Sequence, residues 1–357
     1  MTHAEQLRDI IGAMKKSHTA LAAALAGLAI AGCGSSSSHS SAAATQTSAT
    51  QATSSQSTAT LPPAVGELEA AERPRAAAFP SAHGHSLRQL ATLAASAAQF
   101  GSATGTFIPG VHRVAFALTA SSGGFIYAPT ALYIAKSPSA PAQGPFLAPA
   151  DPMTVPPQYR SKQNSGPGGI KAIYATSVPV PHKGTYTILT LTRTANGVIG
   201  APGEIAVAAA SSIPNVGQRP PDIATDTAAS VHGNTALLTT RTPPEDMHAV
   251  SFNQVLGKRP VALLFSTPQL CMSRVCGPVT DIAVELERHF RDRIAFIHQE
   301  VYVNNQPSKG LRPQLKAFHL ETEPWLFIIN RHGIITARLE GSFGINEVRR
   351  ALQTGLR

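Results

Sequence analysis

The sequence predicts a mixed protein in which an all-β domain is followed by a three-layer α/β domain. Short β-rich runs follow one another between residues 105 and 210, without helices between them. After residue 245, strand-like and helix-like runs alternate. A proline-rich segment, residues 213–244, separates the two patterns, and its prolines disfavour a helix. The 357 residues are sufficient for two domains of ordinary size and additional tails.

The N-terminus, residues 1–32, has the pattern of an export signal. Two lysines at positions 15 and 16 precede an apolar run, residues 19–32, that is too short to span a bilayer but suits a signal peptide. The run ends in the tetrapeptide IAGC, which resembles the lipobox of bacterial lipoproteins. This resemblance implies cleavage before Cys33, lipidation of its sulfur and an extracytoplasmic protein anchored to the cell membrane. Translation is expected to start at Met1 or Met14.

A polar tether is predicted after the signal, at residues 33–66. Residues 34–63 are rich in Ser, Thr and Ala and contain no Asp, Glu, Lys or Arg. Such a segment lacks the large apolar side chains that would offset its ordering entropy. The net charge of +9 is not concentrated in a basic stripe with interleaved aromatics, so nucleic acid is not expected as a partner. A diffuse positive charge suits an anionic membrane surface better.

The β-rich domain is predicted at residues 67–212, with short helices at its start. In residues 185–193 two sets of side chains alternate with a period of two, as in a sheet. Evenly spaced short strands favour an antiparallel, immunoglobulin-like sandwich, and its lack of cysteines favours a structural or protein-contact role. Residues 139–169 are interpreted as a long loop. The predicted strands are residues 112–119, 125–135, 170–180, 185–193 and 204–210.

The α/β domain is predicted at residues 245–357. Residues 261–265 are continuously apolar, as in a strand that is covered on both faces. The order of elements from that strand onward, β-α-β-α-β-β-α, predicts a three-layer sandwich around a small mixed sheet. Predicted helices are residues 247–256, 278–291, 311–318 and 346–356, and predicted strands are residues 261–265, 294–301, 325–329 and 334–339.

Two cysteines, Cys271 and Cys276, remain once Cys33 is assigned to lipidation. Cys276 lies within one turn of the helix predicted to start at Pro278, and the positive end of a helix stabilises a thiolate. On one ideal helix the two side chains would point about 140° apart, at ~100° per residue, so they can meet only if Cys271 lies in the preceding loop. The pair is therefore predicted to be able to close a disulfide in an oxidising compartment.

Residues 252–357 resemble the thioredoxin-like superfamily, and in particular its exported, membrane-anchored thiol-disulfide oxidoreductases. The resemblance rests on GKRP before the first strand, the CGP that begins at Cys276, and Pro324 before WLFII. It implies that Cys271 is the nucleophile and Cys276 the resolving thiol. It also implies a cis Glu323–Pro324 bond whose proline docks an extended substrate. The implied partners are client proteins with cysteines or disulfides, and no cofactor is implied.

The cysteine motif differs from that of the family in three respects. Four residues separate Cys271 from Cys276, where the family has two. No acidic residue lies in the strand at 261–265 to assist proton transfer. Glu323 stands where the family often has Thr and opposes thiolate formation, an effect that Arg274 would offset.

Other functions of the cysteine pair stay open at this point. A structural disulfide closing so short a loop would contribute about 2 kcal/mol. A resemblance to Sco-type copper chaperones implies instead a Cu(I) site formed by the two thiols and a histidine. His319, five residues before Pro324, is the preferred third ligand over His298 and His332. A non-catalytic, protein-binding lipoprotein is the remaining alternative.

Overall fold

The computed structural model describes residues 65–164 and 169–357. The predicted signal peptide, the lipidation site Cys33 and nearly all of the predicted tether lie outside these residues. Within them, no helix combines the length and the apolar character needed to cross a bilayer. Both halves of the described chain belong to one compact unit.

The first half consists of two β-sheets with two short helices before them. The first strand, β1, lies at one edge of the first sheet and pairs in parallel with the last strand of this half. The helices are α1 (Val65–Glu72) and α2 (Leu87–Ala91), and the strands are β1 (Ala95–Ser96), β2 (Ala98–Ser102), β3 (Gly110–Ala120), β4 (Thr130–Ala135), β5 (Gln143–Leu147), β6 (Ala150–Pro152), β7 (Ala172–Val180), β8 (Gly184–Thr194) and β9 (Gly197–Val207). One sheet has the order β1-β9-β8-β4-β5 and the other β2-β3-β7-β6.

The two sheets share one apolar core. Leu132 and Ile188 of the five-stranded sheet belong to the same buried cluster as Phe116 and Tyr174 of the four-stranded sheet. The rings of Phe116 and Tyr174 stack with their centroids 5.3 Å apart. The prediction of a β-rich first half is thus confirmed, whereas immunoglobulin-like connectivity stays a prediction.

The long loop predicted at residues 139–169 is wrong in part, because it contains β5 and β6. Each of these strands carries a proline, Pro145 or Pro152, and each lies at the edge of its sheet. Proline cannot donate to a strand ladder and is tolerated at sheet edges, so the prolines concealed two strands. The predicted strand at 125–135 is also shorter than expected, since β4 begins at Thr130.

The second half is a mixed α/β arrangement around a four-stranded sheet. Its elements are α3 (Phe252–Val255), β10 (Val261–Phe265), α4 (Cys276–Phe290), β11 (Ala295–Gln299), α5 (Pro313–Ala317), β12 (Trp325–Ile329), β13 (Ile335–Glu340) and α6 (Ile345–Gly355). The strand order is β11-β10-β12-β13. β10 and β11 are parallel, and β12 is antiparallel to both of its neighbours. The predicted order of elements is confirmed.

Strand β10 is buried on both faces, which explains its continuous apolar sequence. Ala262 and Leu264 belong to the cluster that includes α4 and α6, whereas Leu263 belongs to the cluster on the opposite face, with Phe318 and Trp325. Helix α4 presents its apolar residues to the first of these clusters. It begins at Cys276, two residues before the predicted start.

Met247 and the proline-rich segment each cover one edge of the second-half sheet. At one edge, the amide of His298 in β11 donates to the carbonyl oxygen of Met247 at 3.0 Å. At the other, Ile335 in β13 donates to the carbonyl of Gln218 and accepts from the amide of Gly217, both at 2.9 Å. Backbone groups that would otherwise be left unpaired at the two edges are thereby satisfied.

A buried ion pair connects this segment to α4. Arg241 Nε lies 2.9 Å from Asp281 Oδ1, and both side chains are almost fully inaccessible. The other oxygen of Asp281 accepts hydrogen bonds from the amide and hydroxyl groups of Ser161 and from Asn164 Nδ2. Arg241 also donates to the carbonyl oxygen of Tyr159. Residues 159–164 of the first half thus cover Asp281 on α4.

The two halves meet at α6 as well. The carboxylate of Asp151, at the edge strand β6, accepts hydrogen bonds from the amides of Asn346 (3.1 Å) and Glu347 (2.6 Å) at the start of this helix. Burial raises the pKa of Asp151, and these two amides oppose that shift. Glu347 in turn forms an ion pair with Arg113 of β3 at 2.5 Å. A side chain of the first half therefore caps a helix of the second.

We expect Asp281→Ala to lower the free energy of unfolding by about 3–5 kcal/mol, because it leaves Arg241 buried without its counter-charge. Urea denaturation of the reduced protein measures this loss. Arg350→Ala is the control: Arg350 is exposed and lies 3.9 Å from Asp151, so its removal should cost less than about 1 kcal/mol. Equal effects of the two substitutions would contradict the assigned importance of the buried pair.

Candidate thiol site

The loop between β10 and α4 brings the two cysteines together. The amide of Cys271 donates to the carbonyl oxygen of Thr267 at 3.1 Å, and the amide of Arg274 donates to that of Cys271 at 3.2 Å. Arg274 has a φ of 58°, in the left-handed region, and so reverses the chain just before the helix. Cys276 follows as the first residue of α4. The expected arrangement, with one cysteine in the loop and one at the helix start, is confirmed.

Both cysteines are free thiols with little exposure to solvent. Cys271 is 8% exposed and Cys276 is fully buried. The two side chains are hydrogen-bonded to each other. The sulfur of Cys271 also lies 3.1 Å from the hydroxyl oxygen of Ser273. Two sulfurs in hydrogen-bonding contact are close enough to form a disulfide after a small movement.

The two thiols differ in acidity. The hydrogen bond from Cys276 lowers the pKa of Cys271 to about 6, with further contributions from the Ser273 hydroxyl and the backbone at Val275 and Cys276, against the effect of burial. Burial raises the pKa of Cys276 well above its usual value, as does its hydrogen bond to Cys271. Because the thiolate is the nucleophilic form, the lower pKa makes Cys271 the candidate nucleophile of the pair near neutral pH.

Glu323 and Pro324 lie beside this loop. The antiparallel pairing of Trp325 with Phe265 places Pro324, which directly precedes β12, next to the end of β10, where the cysteine loop begins. The Glu323–Pro324 peptide bond is cis, as expected. Burial raises the pKa of Glu323 to about 7, and the negative charges of Cys271 and Glu300 act in the same direction. The opposition between Glu323 and the thiolate that the sequence indicated is therefore present.

A cavity of about 820 Å³ opens between the cysteine loop and the first half of the chain. Its wall on one side consists of Ser273, Arg274 and Val275 from the loop, together with Thr322 and Glu323 before the cis-proline. The opposite wall belongs to the first half and includes Gly101, Ser102, Ala103, Ala117 and Ile170. The sequence offered no sign of this cavity, because its walls are distant in the chain.

A series of buried, hydrogen-bonded side chains leads from Glu245 to Thr280 in the first turns of α4. Glu245 Oε1 lies 2.7 Å from His248 Nε2 and 2.6 Å from His298 Nδ1. The other ring nitrogen of His298 lies 2.9 Å from Ser266 Oγ, which lies 2.8 Å from Thr280 Oγ1. The hydroxyl group of Thr280 donates to the carbonyl oxygen of Cys276 at 2.7 Å. The polar groups of this chain are contributed by five separate positions, of which sequence reasoning considered only His298.

The structure does not bring His319 or His332 to the two cysteines, so the ligand set predicted for copper is not assembled. His319 is exposed and lines a different cavity, with Ser212 and Pro214, and His332 is exposed in a turn. In the described ranges, a single trio of Glu, His, Asp or Cys side chains has its ligand atoms within 4.8 Å of one another, namely Glu245, His248 and His298. The cysteines and His319 do not form such a group. Copper binding stays an untested prediction.

Comparisons with known proteins add little. No protein-family model and no curated protein matches the chain. Among solved structures, the chain is similar to the crystal structure of a candidate thiol:disulfide interchange protein, DsbE, from Chlorobium tepidum, with 12% sequence identity and a TM-score of 0.29. The match covers 40% of this chain and 99% of the DsbE chain. A similarity of this strength carries no conclusion about activity.

In the reduced protein, we expect iodoacetamide to modify Cys271 before Cys276, with a rate that reaches half its maximum near pH 6 and falls as pH decreases and the thiol is protonated. Cys276→Ala should move this midpoint upward, because it removes the largest stabilising hydrogen bond. Alkylation at a series of pH values, followed by peptide mass spectrometry, measures both. Ser273→Ala is the control and should cause a smaller rise. A midpoint in the wild type near that of an ordinary thiol, about 8.5, would contradict the assignment.

Proposed function

We propose that the chain is a membrane-anchored, extracytoplasmic thiol-disulfide exchange protein that acts on cysteines of client proteins through a thioredoxin-like second half. The observation that carries the proposal is the acidity difference between two hydrogen-bonded thiols at the start of α4. A purely structural cysteine pair has no need of a stabilised thiolate. A thiolate beside a protonated thiol is instead the state from which disulfide exchange begins.

In the proposed reaction, the thiolate of Cys271 attacks one sulfur of a client disulfide. The client S–S bond breaks, a mixed disulfide with Cys271 forms, and the other client sulfur leaves as a thiolate. Cys276 then transfers its proton to that client sulfur and attacks Cys271, which releases the second client sulfur as a thiolate. The client gains two electrons and the Cys271–Cys276 disulfide forms. Run in reverse, the same steps oxidise a client dithiol.

The cavity beside the cysteines is the proposed binding place for the client. It is bounded on one side by the cysteine loop and the segment before Pro324, where an extended substrate would dock. On the other side, the first half presents the edge strand β2, from which Gly101 and Ser102 line the cavity. The client polypeptide on either side of the cysteine that Cys271 attacks would therefore contact both halves. This gives the β-rich half a role in client binding.

Anchoring at Cys33 would keep the exchange reaction at the outer face of the membrane. The proposal is supported by the IAGC motif, the preceding apolar run and the uncharged segment 34–63. That segment is long enough to let the folded part reach clients that are themselves attached to the membrane. The compartment also permits disulfides, so a dithiol there has oxidised partners available.

The full chain is expected to accelerate reduction of insulin by dithiothreitol, and Cys271→Ser to abolish the acceleration because the attacking thiolate is lost. Cys276→Ser should instead accumulate a mixed disulfide between Cys271 and insulin, since the resolving thiol is missing. Turbidity measures the first outcome and non-reducing electrophoresis the second. If the wild type were no faster than Cys271→Ser, the pair would be structural and the proposed activity would be excluded.

Filling the cavity should slow exchange with proteins selectively. Gly101 is exposed, and a Cβ atom there would meet only the carbonyl oxygen of Ala117 at 3.8 Å, so the backbone accommodates a residue with a side chain at this position. Gly101→Trp is expected to lower the rate with a protein disulfide about tenfold, the equivalent of 1.4 kcal/mol of lost binding. The rate with a small aromatic disulfide should be unchanged. Thr185→Trp, on an exposed position of β8 away from the cavity, is the control. If Gly101→Trp lowered the exchange rate equally with the protein disulfide and the small disulfide, the client would not bind in this cavity.

A further inference from the structure

Groups that can only accept fix the direction of the hydrogen bonds between His298, Ser266 and Thr280. A carbonyl oxygen cannot donate, so the hydroxyl proton of Thr280 points at the carbonyl of Cys276. Thr280 Oγ1 must then accept from Ser266, which uses the only hydroxyl proton of Ser266. Ser266 Oγ must therefore accept from the nearest nitrogen of His298, at 2.9 Å. His298 Nε2 accordingly carries a proton.

Two further contacts of His298 agree with this direction. Nε2 also lies 3.1 Å from the carbonyl oxygen of Ser266, which can only accept. On the other side of the ring, Nδ1 lies 2.6 Å from Glu245 Oε1. Oε2 of Glu245 accepts from the Thr239 hydroxyl while Oε1 faces a nitrogen of each histidine, so Glu245 acts as a carboxylate that accepts from Nδ1–H. In agreement, the two histidines hold the pKa of Glu245 well below its usual range against the effect of burial. A histidine that donates from both nitrogens is an imidazolium.

We propose that His298 is a buried imidazolium whose oriented chain of hydroxyl groups fixes the first turn of α4 and thereby positions Cys276 against Cys271. This inference deepens the proposed function and rests on it for its consequence in exchange. His298 is a positioning residue, because it reaches the sulfurs only through Ser266 and Thr280. The strand at 261–265 lacks an acidic residue, and the hydrogen-bonded series of His298, Ser266 and Thr280 lies behind the thiols instead. This series positions Cys276 and does not accept a proton from it.

The position of Cys276 matters because two of its groups stabilise the thiolate of Cys271. Both its side chain and its backbone are hydrogen-bonded to that sulfur. If the first turn of α4 moves, both bonds weaken together and the pKa of Cys271 rises. The imidazolium of His298 faces the carboxylate of Glu245 directly and that of Glu300 at longer range. His248 contacts the same oxygen of Glu245. Together these two carboxylates raise the pKa of His298 against the effect of burial.

The same three side chains, Glu245, His248 and His298, have the residue types of a metal site. Their facing atoms lie 2.6 and 2.7 Å apart, which are the distances of charge-assisted hydrogen bonds. The second oxygen of Glu245 accepts from the hydroxyl of Thr239 at 2.9 Å, so the carboxylate is satisfied without a cation. Hydrogen bonding therefore accounts for the facing atoms of the cluster, whereas Nδ1 of His248 is buried without a hydrogen-bond partner.

Two measurements on the full, reduced chain test the proposal. Nitrogen chemical shifts of His298 at pH 7.5 should show both ring nitrogens protonated; a neutral tautomer would overturn the charge assignment. Thr280→Val keeps the shape of the side chain but removes both of its hydrogen bonds. It is expected to raise the alkylation midpoint of Cys271 by about one pH unit, and Thr280→Ser to restore it.

The control for a general effect of replacing a buried threonine is Thr190→Val in β8, which should leave the midpoint of Cys271 unchanged. An unchanged midpoint in Thr280→Val would refute the positioning role. Stoichiometric binding of Zn²⁺ that is lost in His248→Gln would refute the hydrogen-bonded interpretation of the cluster. Neither readout requires a client, so failure of this proposal is distinguishable from failure of insulin reduction in the wild type.

Discussion

The buried pair of Arg241 and Asp281 is the interaction on which the arrangement of the thiol site depends. It joins three stretches of chain that are far apart in sequence: the loop at 159–164, the proline-rich segment and helix α4. A charge removed from water is costly unless it is paired and hydrogen-bonded, and each charge here has several partners. Because Asp281 lies little more than one turn after Cys276, the pair also determines where the start of α4 lies relative to the first half.

The acidity of Cys271 arises largely from neighbouring hydrogen-bond donors. Cys276 supplies the largest contribution and Ser273 a further one. Glu323 works against this effect through its negative charge, yet its own pKa is raised to about 7 by burial and by Cys271. The carboxyl and the thiol therefore share one negative charge near neutral pH more readily than they hold two. The protonation states of Glu323 and Cys271 are therefore coupled.

The α/β half was predictable because its periodicities are strong. Five consecutive apolar residues at 261–265 could only be a doubly covered strand or a buried helix segment, and the flanking proline favoured the strand. Helix geometry required Cys271 to lie in a loop if the two cysteines were to meet. By contrast, β5 and β6 were concealed by their prolines, and nothing in the sequence of helix α4 shows that a distant loop covers Asp281. The chain from Glu245 to Thr280 was invisible for the same reason: its members become neighbours only through strand pairing.

The contact between Asp151 and α6 has a consequence for modularity. The first-turn amides of that helix have their acceptor in the other half, and a Cβ atom at Gly344 would collide with the same aspartate. At Gly341 a Cβ atom would likewise collide with the carbonyl group of Ala103. Residues 245–357, cut away from the rest, would expose an uncapped helix and would lose the close contacts that exclude a side chain at Gly344 and add to the left-handed backbone (φ 69°) in excluding one at Gly341. The two halves are therefore complementary at individual residues, and neither could be transferred unchanged to another protein.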